Sequence, residues 1–286
     1  MITLKFASRN LKMFFRDRAA VFFSLLAAFI IIGLYILFLG DMLSSGMKAV
    51  PGSRFLMDSW IMAGLLSVTS VTTTMGAFGI MVRDQEKKSA KDFAASPIRR
   101  STLAAGYILS SFIIGLIMTL VTFVLAEVYI VGYGGQLLSA PSALKVLGVM
   151  LLSVLSSTAM ILFLVSFFKS SNAFATASSL LGTLIGFLTG VYIPMGQLPE
   201  AVQSIVKFFP VSHASLLFRQ VMMDAPMQAA FAGAPKASVQ DFQKTMGVSF
   251  QIGGAQVTML TSILVLLGTA LVFFLLSTWN LSRKRK

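Results

Sequence analysis

Six long apolar stretches separated by polar segments dominate the sequence. They run over approximately 19–39, 59–82, 102–126, 146–168, 173–193 and 257–279, and within those limits none contains Asp, Glu, Lys or Arg. A helix needs about 20 apolar residues to cross a hydrocarbon core of ~30 Å. Each stretch therefore predicts a transmembrane helix, and the whole pattern predicts a single all-α membrane domain over 1–286 with six spans.

Residues 1–18, which precede the first stretch, form an amphipathic pattern. On a helical wheel the basic side chains fall within an arc of roughly 60° and an apolar group falls opposite. The basic group is Lys5, Arg9, Lys12 and Arg16, and the apolar group is Leu4, Ala7, Leu11, Phe14 and Phe15. This pattern predicts an interfacial helix that lies flat on the membrane and is attracted to anionic lipid.

Residues 194–256 are too polar to span a membrane, yet they carry helix signals. Pro199 and Glu200 suit the first turn of a helix that Pro210 ends, and Ser212 can serve as the N-cap of a second short helix. We therefore expect an extracellular helical hairpin between spans five and six.

A small helical cap is predicted to follow the hairpin. Ser238 and Asp241 have the spacing of a capping box, with Phe242 and Met246 on one face of the helix that follows. The stretch from Ala225 to Pro235 is predicted to be a loop.

The composition agrees with a lipid environment. Apolar residues make up 56% and charged residues 12% of the chain, and the mean hydropathy is +0.85, whereas soluble domains carry roughly 25% charged residues. The formal charge of +13 would suggest a nucleic-acid partner, but the basic residues sit between apolar stretches, so we expect none. The chain has no cysteine, which excludes disulfides and thiolate metal sites.

The distribution of Lys and Arg predicts the orientation in the membrane. Of the 23 basic residues, 16 lie in 1–18, 83–101, position 169 and the C-terminal tail, and 7 lie in the segments between. Short cytoplasmic segments retain basic residues. Both termini and the 83–101 loop are therefore expected in the cytoplasm.

Catalytic and nucleotide-binding motifs are missing from the sequence. There is no G-x-x-x-x-G-K-[ST], H-E-x-x-H or G-x-S-x-G motif, and the only histidine is His213. No carboxylate lies within a predicted span, and we interpret Glu127 as a solvated residue at a boundary. The chain is therefore not expected to be an enzyme or to bind a cofactor or metal, and ATP-driven work would need a partner.

Small and hydroxyl-bearing residues concentrate in two spans. They are Ser67, Ser70 and Thr74 in the second, and Thr176, Ser179, Thr183 and Gly186 on one face of the fifth, where Gly182, Gly186 and Gly190 also repeat every four residues. Two interpretations stay open. Either these groups serve ordinary helix packing, with hydroxyls bonded to their own backbone, or the two faces line a translocation route or an interface between two copies.

Two segments carry a family resemblance. The first reads RDQEKKSAKDFAASPIRRSTLAAGYI (83–108) and the second GVYIPMGQLPEAVQSIVKFFPVSHASLLFRQVM (190–222). The matching positions are Glu86, Ser96, Pro97, Ile98, Arg99 and Arg100, then Gly190, Ile193, Pro194, Leu198, Pro199, Phe209, Pro210 and Arg219. In this order and at these places relative to the spans, they resemble the permeases of ABC type-2 exporters. The segment 225–254 is longer than expected for a minimal member of that family.

The resemblance implies a pair of permeases, identical or paralogous, that work with two separate ATPase subunits carrying ATP and Mg²⁺ in a bacterial plasma membrane. The implied function is export of a drug-like, lipid or other amphipathic substrate. Export of a lipid-linked polysaccharide, or a scaffold or sensor role without transport, are the alternatives. The implied ATPase contact lies in the loop and includes Arg83, Asp84, Gln85, Glu86, Lys87, Lys88 and Phe93.

Overall fold

The structure is a computed structural model that describes residues 2–40, 50–87 and 98–283. Within these ranges the chain forms twelve α-helices and one short β-hairpin. The helices are α1 (Ile2–Arg16), α2 (Arg18–Ser24), α3 (Leu26–Leu34), α4 (Ser53–Glu86), α5 (Arg100–Gly132), α6 (Ala140–Val165), α7 (Ser171–Leu188), α8 (Glu200–Phe208), α9 (Pro210–Met222), α10 (Asp224–Ala230), α11 (Lys236–Thr245) and α12 (Met259–Arg283). A π-helical turn (Tyr35–Leu39) extends α3, a 3-10 turn (Met195–Gln197) precedes α8, and the antiparallel hairpin consists of β1 (Gln251–Ile252) and β2 (Ala255–Gln256).

Five helices in the described part of the chain are long and apolar enough to cross a membrane, namely α4, α5, α6, α7 and α12. Two bent pairs meet the same criterion together, α2 with α3 and α8 with α9, so the described residues hold five to seven candidate spans. The predicted all-α membrane class is confirmed.

The first predicted span is not one straight helix. Its two helices, α2 and α3, meet at a bend of 47° next to Leu25. At the break the Ser24 hydroxyl donates to the Val21 carbonyl. A Cβ added to Gly76 of α4 would lie 3.3 Å from the Cβ of Ser24. The break therefore approaches α4 closely at a position where α4 carries no side chain.

Helix α4 is the centre of the bundle. It is 34 residues long and nearly all of its side chains are buried. Helices α5, α6, α7 and α9 all pack against it. Because protein rather than lipid surrounds this helix, it can carry many hydroxyl groups without exposing them to hydrocarbon.

The segment after α7 contains two helices that meet at a sharp angle. Helices α8 and α9 meet at 86°, and nearly every side chain of α9 is buried against α4, α6 and α12. Phe209 occupies the N-cap position of α9, so the predicted N-cap Ser212 lies inside the helix. The polar residues of α9 find partners among the spans, which is why a helix of moderate polarity can be buried there.

The cap also differs from its prediction in two places. The stretch expected to be a loop contains α10 (Asp224–Ala230). Helix α11 begins at Lys236, directly after Pro235, so Ser238 does not start it as a capping box would require. Proline fixes the backbone dihedral needed before a first turn, and here Pro235 takes the N-cap position three residues before Ser238.

Helix α1 packs on protein along one side, which overlaps only in part with the predicted apolar face. Phe6, Ala7, Asn10 and Phe14 are buried, mainly against α5. Leu4, from the predicted apolar face, is 64% exposed. The amphipathic helix is therefore docked on the bundle.

The bundle has two ends, the terminal face and the cap face. The terminal face carries α1, the end of α4, the start of α5 and the end of α12, where the Asn280 amide donates to the Ser166 hydroxyl over 2.6 Å. The cap face is the opposite end, where residues 189–258 gather above α4.

Candidate functional site

Asp84, near the end of α4, is the centre of a polar cluster on the terminal face. Its carboxylate accepts two hydrogen bonds from the Arg9 guanidinium of α1, at 3.0 and 3.2 Å. The Tyr107 hydroxyl of α5 donates to the same carboxylate over 2.7 Å. Asp84 is only 5% exposed. One buried carboxylate thus joins three helices, and its hydrogen bond raises the pKa of Arg9 above the ordinary value.

Apolar packing fixes α1 in the same place. The Phe6 and Tyr107 rings meet edge to face with centroids 4.9 Å apart. A Cβ on Gly106 would lie 2.6 Å from Cδ1 of Phe6, so only glycine allows this approach. The Asn10 amide donates to the Ser110 hydroxyl over 3.2 Å, in a buried contact. The docking of α1 on α5 therefore combines ring packing with buried hydrogen bonds.

The neighbours of Asp84 on α4 contact two further elements. Arg83 forms an ion pair with Asp17, in the link between α1 and α2, at 3.6 Å. The Glu86 carboxylate accepts a hydrogen bond from the backbone N–H of Ser171 at the start of α7, over 3.3 Å. We call Arg83, Asp84 and Glu86 the terminal hub. Through it the end of α4 reaches α1, α2, α5 and α7.

The remaining residues predicted to contact an ATPase are placed as follows. Gln85 is half-buried and Lys87 is exposed. Lys88 and Phe93 lie outside the described residues. Asp84 is turned into the bundle, so in this conformation its carboxylate is occupied within the chain. Of the described residues in that set, Glu86 and Lys87 offer the most accessible surface.

The hydroxyls predicted in span two are enclosed within a single chain. Ser67, Ser70 and Thr74 of α4 are buried and each donates to a carbonyl of its own helix. Ser70 and Ser153 of α6 also bring their hydroxyl oxygens to 2.7 Å. These groups serve packing between α4 and α6 in this conformation.

The predicted face of span five is placed differently. Thr176, Ser179 and Thr183 of α7 are exposed, and the two threonines donate to carbonyls one turn earlier. Gly186 is buried, and a Cβ there would collide with the ring of Tyr192. Gly182 has nothing within 4 Å of such a Cβ. The hydroxyls of span two are therefore enclosed by the bundle, whereas those of span five lie on its surface.

A second polar cluster lies at the cap face, where α9 meets the end of α7. The Ser212 hydroxyl donates to the Leu188 carbonyl (2.6 Å) and the Ser215 hydroxyl to the Thr189 carbonyl (3.1 Å). An Arg219 nitrogen donates to the Gly190 carbonyl (3.0 Å). We call these three contacts the cap ladder. They supply donors to three successive carbonyls just where α7 ends and its backbone has no further helical partners.

Arg219 is almost fully enclosed, with 1% of its surface exposed. Its guanidinium lies over the Trp60 ring at 4.7 Å, and Cβ atoms on Gly64 or Gly247 would come within 3.1 Å of its terminal nitrogens. Among the described residues no carboxylate forms a salt bridge with it. The negative end of the α7 dipole and the aromatic face are thus its electrostatic partners.

Sequence reasoning missed the cap ladder, although part of its signal was present. Ser212, Ser215 and Arg219 follow one another at intervals of three and four, which places them on one face of a helix. Arg219 was noticed only as part of the family pattern. The accepting carbonyls belong to the backbone, and their position cannot be inferred from side-chain types.

Two isolated polar residues are also buried. Glu127 was interpreted as solvated, but it is 8% exposed and accepts a hydrogen bond from the backbone N–H of Leu138 over 2.9 Å. His213 lies in the first turn of α9, and its ring nitrogens approach the Ser262 hydroxyl and the Lys207 carbonyl. Both residues hold neighbouring segments together.

Helix α4 is clamped to its neighbours at both ends by an Arg, an Asp and a Tyr. At the cap face Arg54 binds Asp58 one turn later over 3.1 Å and donates to the Tyr129 hydroxyl of α5 over 2.9 Å. Asp58 and Asp84 are 26 residues apart, or about 39 Å along a helix. A bilayer with its headgroup regions measures about 40–45 Å. The two clamps are therefore spaced to lie at the two membrane interfaces.

These observations define a class of protein. The described residues contain no group of three or more His, Cys, Asp or Glu side chains that could hold a metal ion. The polar residues instead connect helices at the two ends of an apolar bundle. This is the construction of a multi-pass membrane protein.

The comparison with protein families agrees with this class. A model of the ABC-2 family transporter proteins matches residues 53–279. The match covers most of the chain, from the start of α4 into α12, and the chain belongs to the ABC-2 family of transporters. It is thus a membrane permease of an ABC transporter, a component that works with an ABC ATPase. No curated protein matches the sequence.

Proposed function

We propose that this chain is the permease subunit of an ATP-driven exporter that moves an amphipathic substrate, such as a drug-like molecule or a lipid, out of a bacterial cell. We place it in the plasma membrane, and the excess of basic residues on the terminal face supports a cytoplasmic position for that face. ATP and Mg²⁺ are bound and ATP is hydrolysed on a separate subunit, because this chain has no nucleotide-binding motif.

The terminal hub is the observation that carries the proposal. The predicted coupling loop 83–101 overlaps the end of α4 and the start of α5, and the last residues of α4 contact α1, α5, α7 and the link before α2. A force applied to this loop by an ATPase therefore reaches four elements at once. A merely solvated loop would not require that arrangement of contacts.

Helix α4 offers a route from that force to the cap face. It is one continuous helix of 34 residues, or about 50 Å. Near its other end Trp60 contacts Arg219 of the cap ladder. Movement of α4 or α7 at the terminal face would thus be transmitted to α9, which closes the cap face.

Helix α7 has a largely exposed surface that a second permease copy could contact. The window of α7 that meets the span criterion is only 17% buried. Thr176, Ser179 and Thr183 lie on this exposed surface beside Leu180 and Leu184. A face that mixes hydroxyls with large apolar residues suits contact with another helix or with an amphipathic substrate. We propose that two copies face each other along α7 and enclose the route between them.

The ATPase contact can be tested at Glu86, which is exposed and lies at the end of α4. The permease would be purified together with its ATPase, and bound ATPase and transport-coupled hydrolysis would be measured. Glu86→Arg should weaken ATPase binding by tenfold or more, because a like-charge contact in an interface costs several kcal/mol. Glu86→Gln keeps an acceptor for the Ser171 N–H, so it separates loss of charge from loss of the hydrogen bond.

Glu200→Arg, at the exposed start of α8 on the cap face, is the matched control and should leave ATPase binding unchanged. Normal ATPase binding and normal transport in the Glu86→Arg protein would contradict the coupling role. Failure of any ATPase to associate with the unaltered chain would instead favour the scaffold or sensor alternative.

A further inference from the structure

The long segment after α9 builds a cavity on the cap face that the transport proposal does not use. The cavity has a volume of about 360 Å³, within the range of roughly 300–1,000 Å³ that small-molecule sites occupy. Four elements contribute to it: the end of α9, then α10, α11 and the β-hairpin with the residues before it. Segment 225–254 thus gives the protein a concave surface that a shorter connection could not form.

The polar lining of this cavity consists mainly of amides. Its six polar residues are Gln220, Asp224, Gln228, Gln243, Ser249 and Gln256. Two of the four amides are held by bonds within the wall. Gln220 donates to the Val248 carbonyl over 3.3 Å, and Gln228 donates to the Asp224 carboxylate over 3.1 Å. Backbone bonds from Val248 and Ser249 to the Gln243 carbonyl fix the wall behind them.

One acceptor in the wall has no partner. The amide oxygen of Gln220 is enclosed and accepts no hydrogen bond from any described residue, although the nitrogen of the same amide donates one. A buried acceptor without a donor is unfavourable. A small shift of this side chain toward the cavity would bring its oxygen to a ligand that donates a hydrogen bond.

The charges of the lining restrict the class of ligand. Among the described residues no Lys or Arg lines the cavity, so an anion would find no counter-charge there. Asp224 is the one carboxylate in the lining, and it already accepts a bond from Gln228. Amides both donate and accept hydrogen bonds, as hydroxyl groups do. The lining therefore suits a neutral ligand with several hydroxyls.

Apolar side chains form the rest of the wall. Met227 and Val248 are buried at its base, and Phe231 packs on Phe242 with ring centroids 5.0 Å apart. A sugar ring presents hydroxyls at its edge and C–H groups on its faces. Amides can bind the hydroxyls, and apolar side chains can pack against the C–H groups.

A smaller cavity of about 200 Å³ shares Asp224 and Gln228 with the first and extends toward Ser59 and Glu127 at the ends of α4 and α5.

We infer that the cap cavity is a binding site for a neutral polyhydroxylated ligand, a sugar or the sugar portion of a larger molecule. The amides of Gln220, Gln243 and Gln256 hold its hydroxyls, and Met227 and Phe231 contact its C–H faces. The site lies on the face opposite the terminal hub.

The test uses the full chain in lipid nanodiscs and saturation-transfer NMR with four probes: maltose, N-acetylglucosamine, choline and inorganic phosphate. We expect saturable signals from at least one of the two sugars and none from choline or phosphate. Gln243→Leu and Gln256→Leu should each weaken sugar binding by tenfold or more. Gln256 is exposed, so its replacement tests the site even if the more enclosed Gln243 variant fails to fold.

Gln203→Leu is the matched control, because this glutamine of α8 donates to the Leu198 carbonyl and does not line the cavity. It should bind sugar as the unaltered protein does. Absence of binding by both sugars would overturn the inference, as would sugar binding that both cavity variants retain. Binding of choline instead would assign the cavity to a cation.

Discussion

Arg219 donates a hydrogen bond to the carbonyl of Gly190, two residues beyond the end of α7. The two residues are 29 positions apart in the sequence and belong to different parts of the fold. Ser212 and Ser215 make the same kind of contact to the two preceding carbonyls. The end of α7 is thus capped by side chains of α9 in place of water.

The cap ladder predicts that Lys is a worse replacement for Arg219 than Met. Lysine keeps a buried charge but loses the planar group that lies over Trp60 and reaches Gly190. Methionine fills a similar space without a charge that needs compensation. We expect Arg219→Lys to lower the free energy of unfolding by about 1–3 kcal/mol more than Arg219→Met does. Denaturant unfolding in detergent measures the difference, and equal stability of the two variants would contradict the account.

The close packing around Arg219 predicts a contrast between two glycines. A Cβ on Gly64 would lie 2.5 Å from Cγ2 of Val191 and 3.1 Å from Arg219, whereas a Cβ on Gly182 meets nothing. Gly64→Ala should therefore destabilise the protein by about 1–3 kcal/mol, as overpacking typically does. Gly182→Ala should be neutral or slightly stabilising, because alanine favours helix. Thermal unfolding midpoints compare the two variants. A Gly64→Ala protein as stable as the original would show that Val191 and Arg219 can shift at little cost.

The terminal hub predicts that Asp84 holds α1 in place. Asp84→Asn removes the charge that binds Arg9 but keeps an oxygen for Tyr107. We expect α1 to exchange its amide hydrogens at least tenfold faster in this variant, as measured by hydrogen–deuterium exchange. Asp17→Asn breaks a longer and more exposed ion pair, for which the loss is about 1 kcal/mol or less. Equal protection of α1 in both variants would argue against Asp84 as its anchor.

The orientation in the membrane predicts a pattern of thiol labelling. The chain has no cysteine, so single cysteines can be introduced without background. Lys12→Cys and Lys169→Cys, exposed on the terminal face, should resist an impermeant reagent applied to intact cells. Ser139→Cys and Ser238→Cys, exposed on the cap face, should react. Labelling at Lys12 from outside would reverse the proposed orientation.

The sequence indicated the family and the structural class, but it did not indicate how the cap folds. The loop 83–108 and the pattern from Gly190 to Arg219 indicated an ABC-2 permease, which the family match confirms. The burial of α9 was missed because a polarity criterion counts Ser212, His213 and Arg219 as unfavourable. In the structure each of these side chains has a hydrogen-bond partner in another segment.

The sequence by itself determined what depends on local composition. Runs of about 20 apolar residues determined that the chain is helical and lies in a membrane, because a helix of that length crosses the hydrocarbon core with its backbone hydrogen bonds satisfied internally. The amphipathic repeat of 1–18 fixed a helix there. These properties follow from which residues are neighbours along the chain.

Only the tertiary structure decided where the polar groups go. Asp84 could have faced a partner, but the chain brings Arg9 and Tyr107 to it from 75 and 23 residues away. Arg219 could have been solvated, but the ends of α7 and α4 enclose it. Partners so distant in sequence leave no local pattern, and burial of a polar group is favourable only where such partners converge.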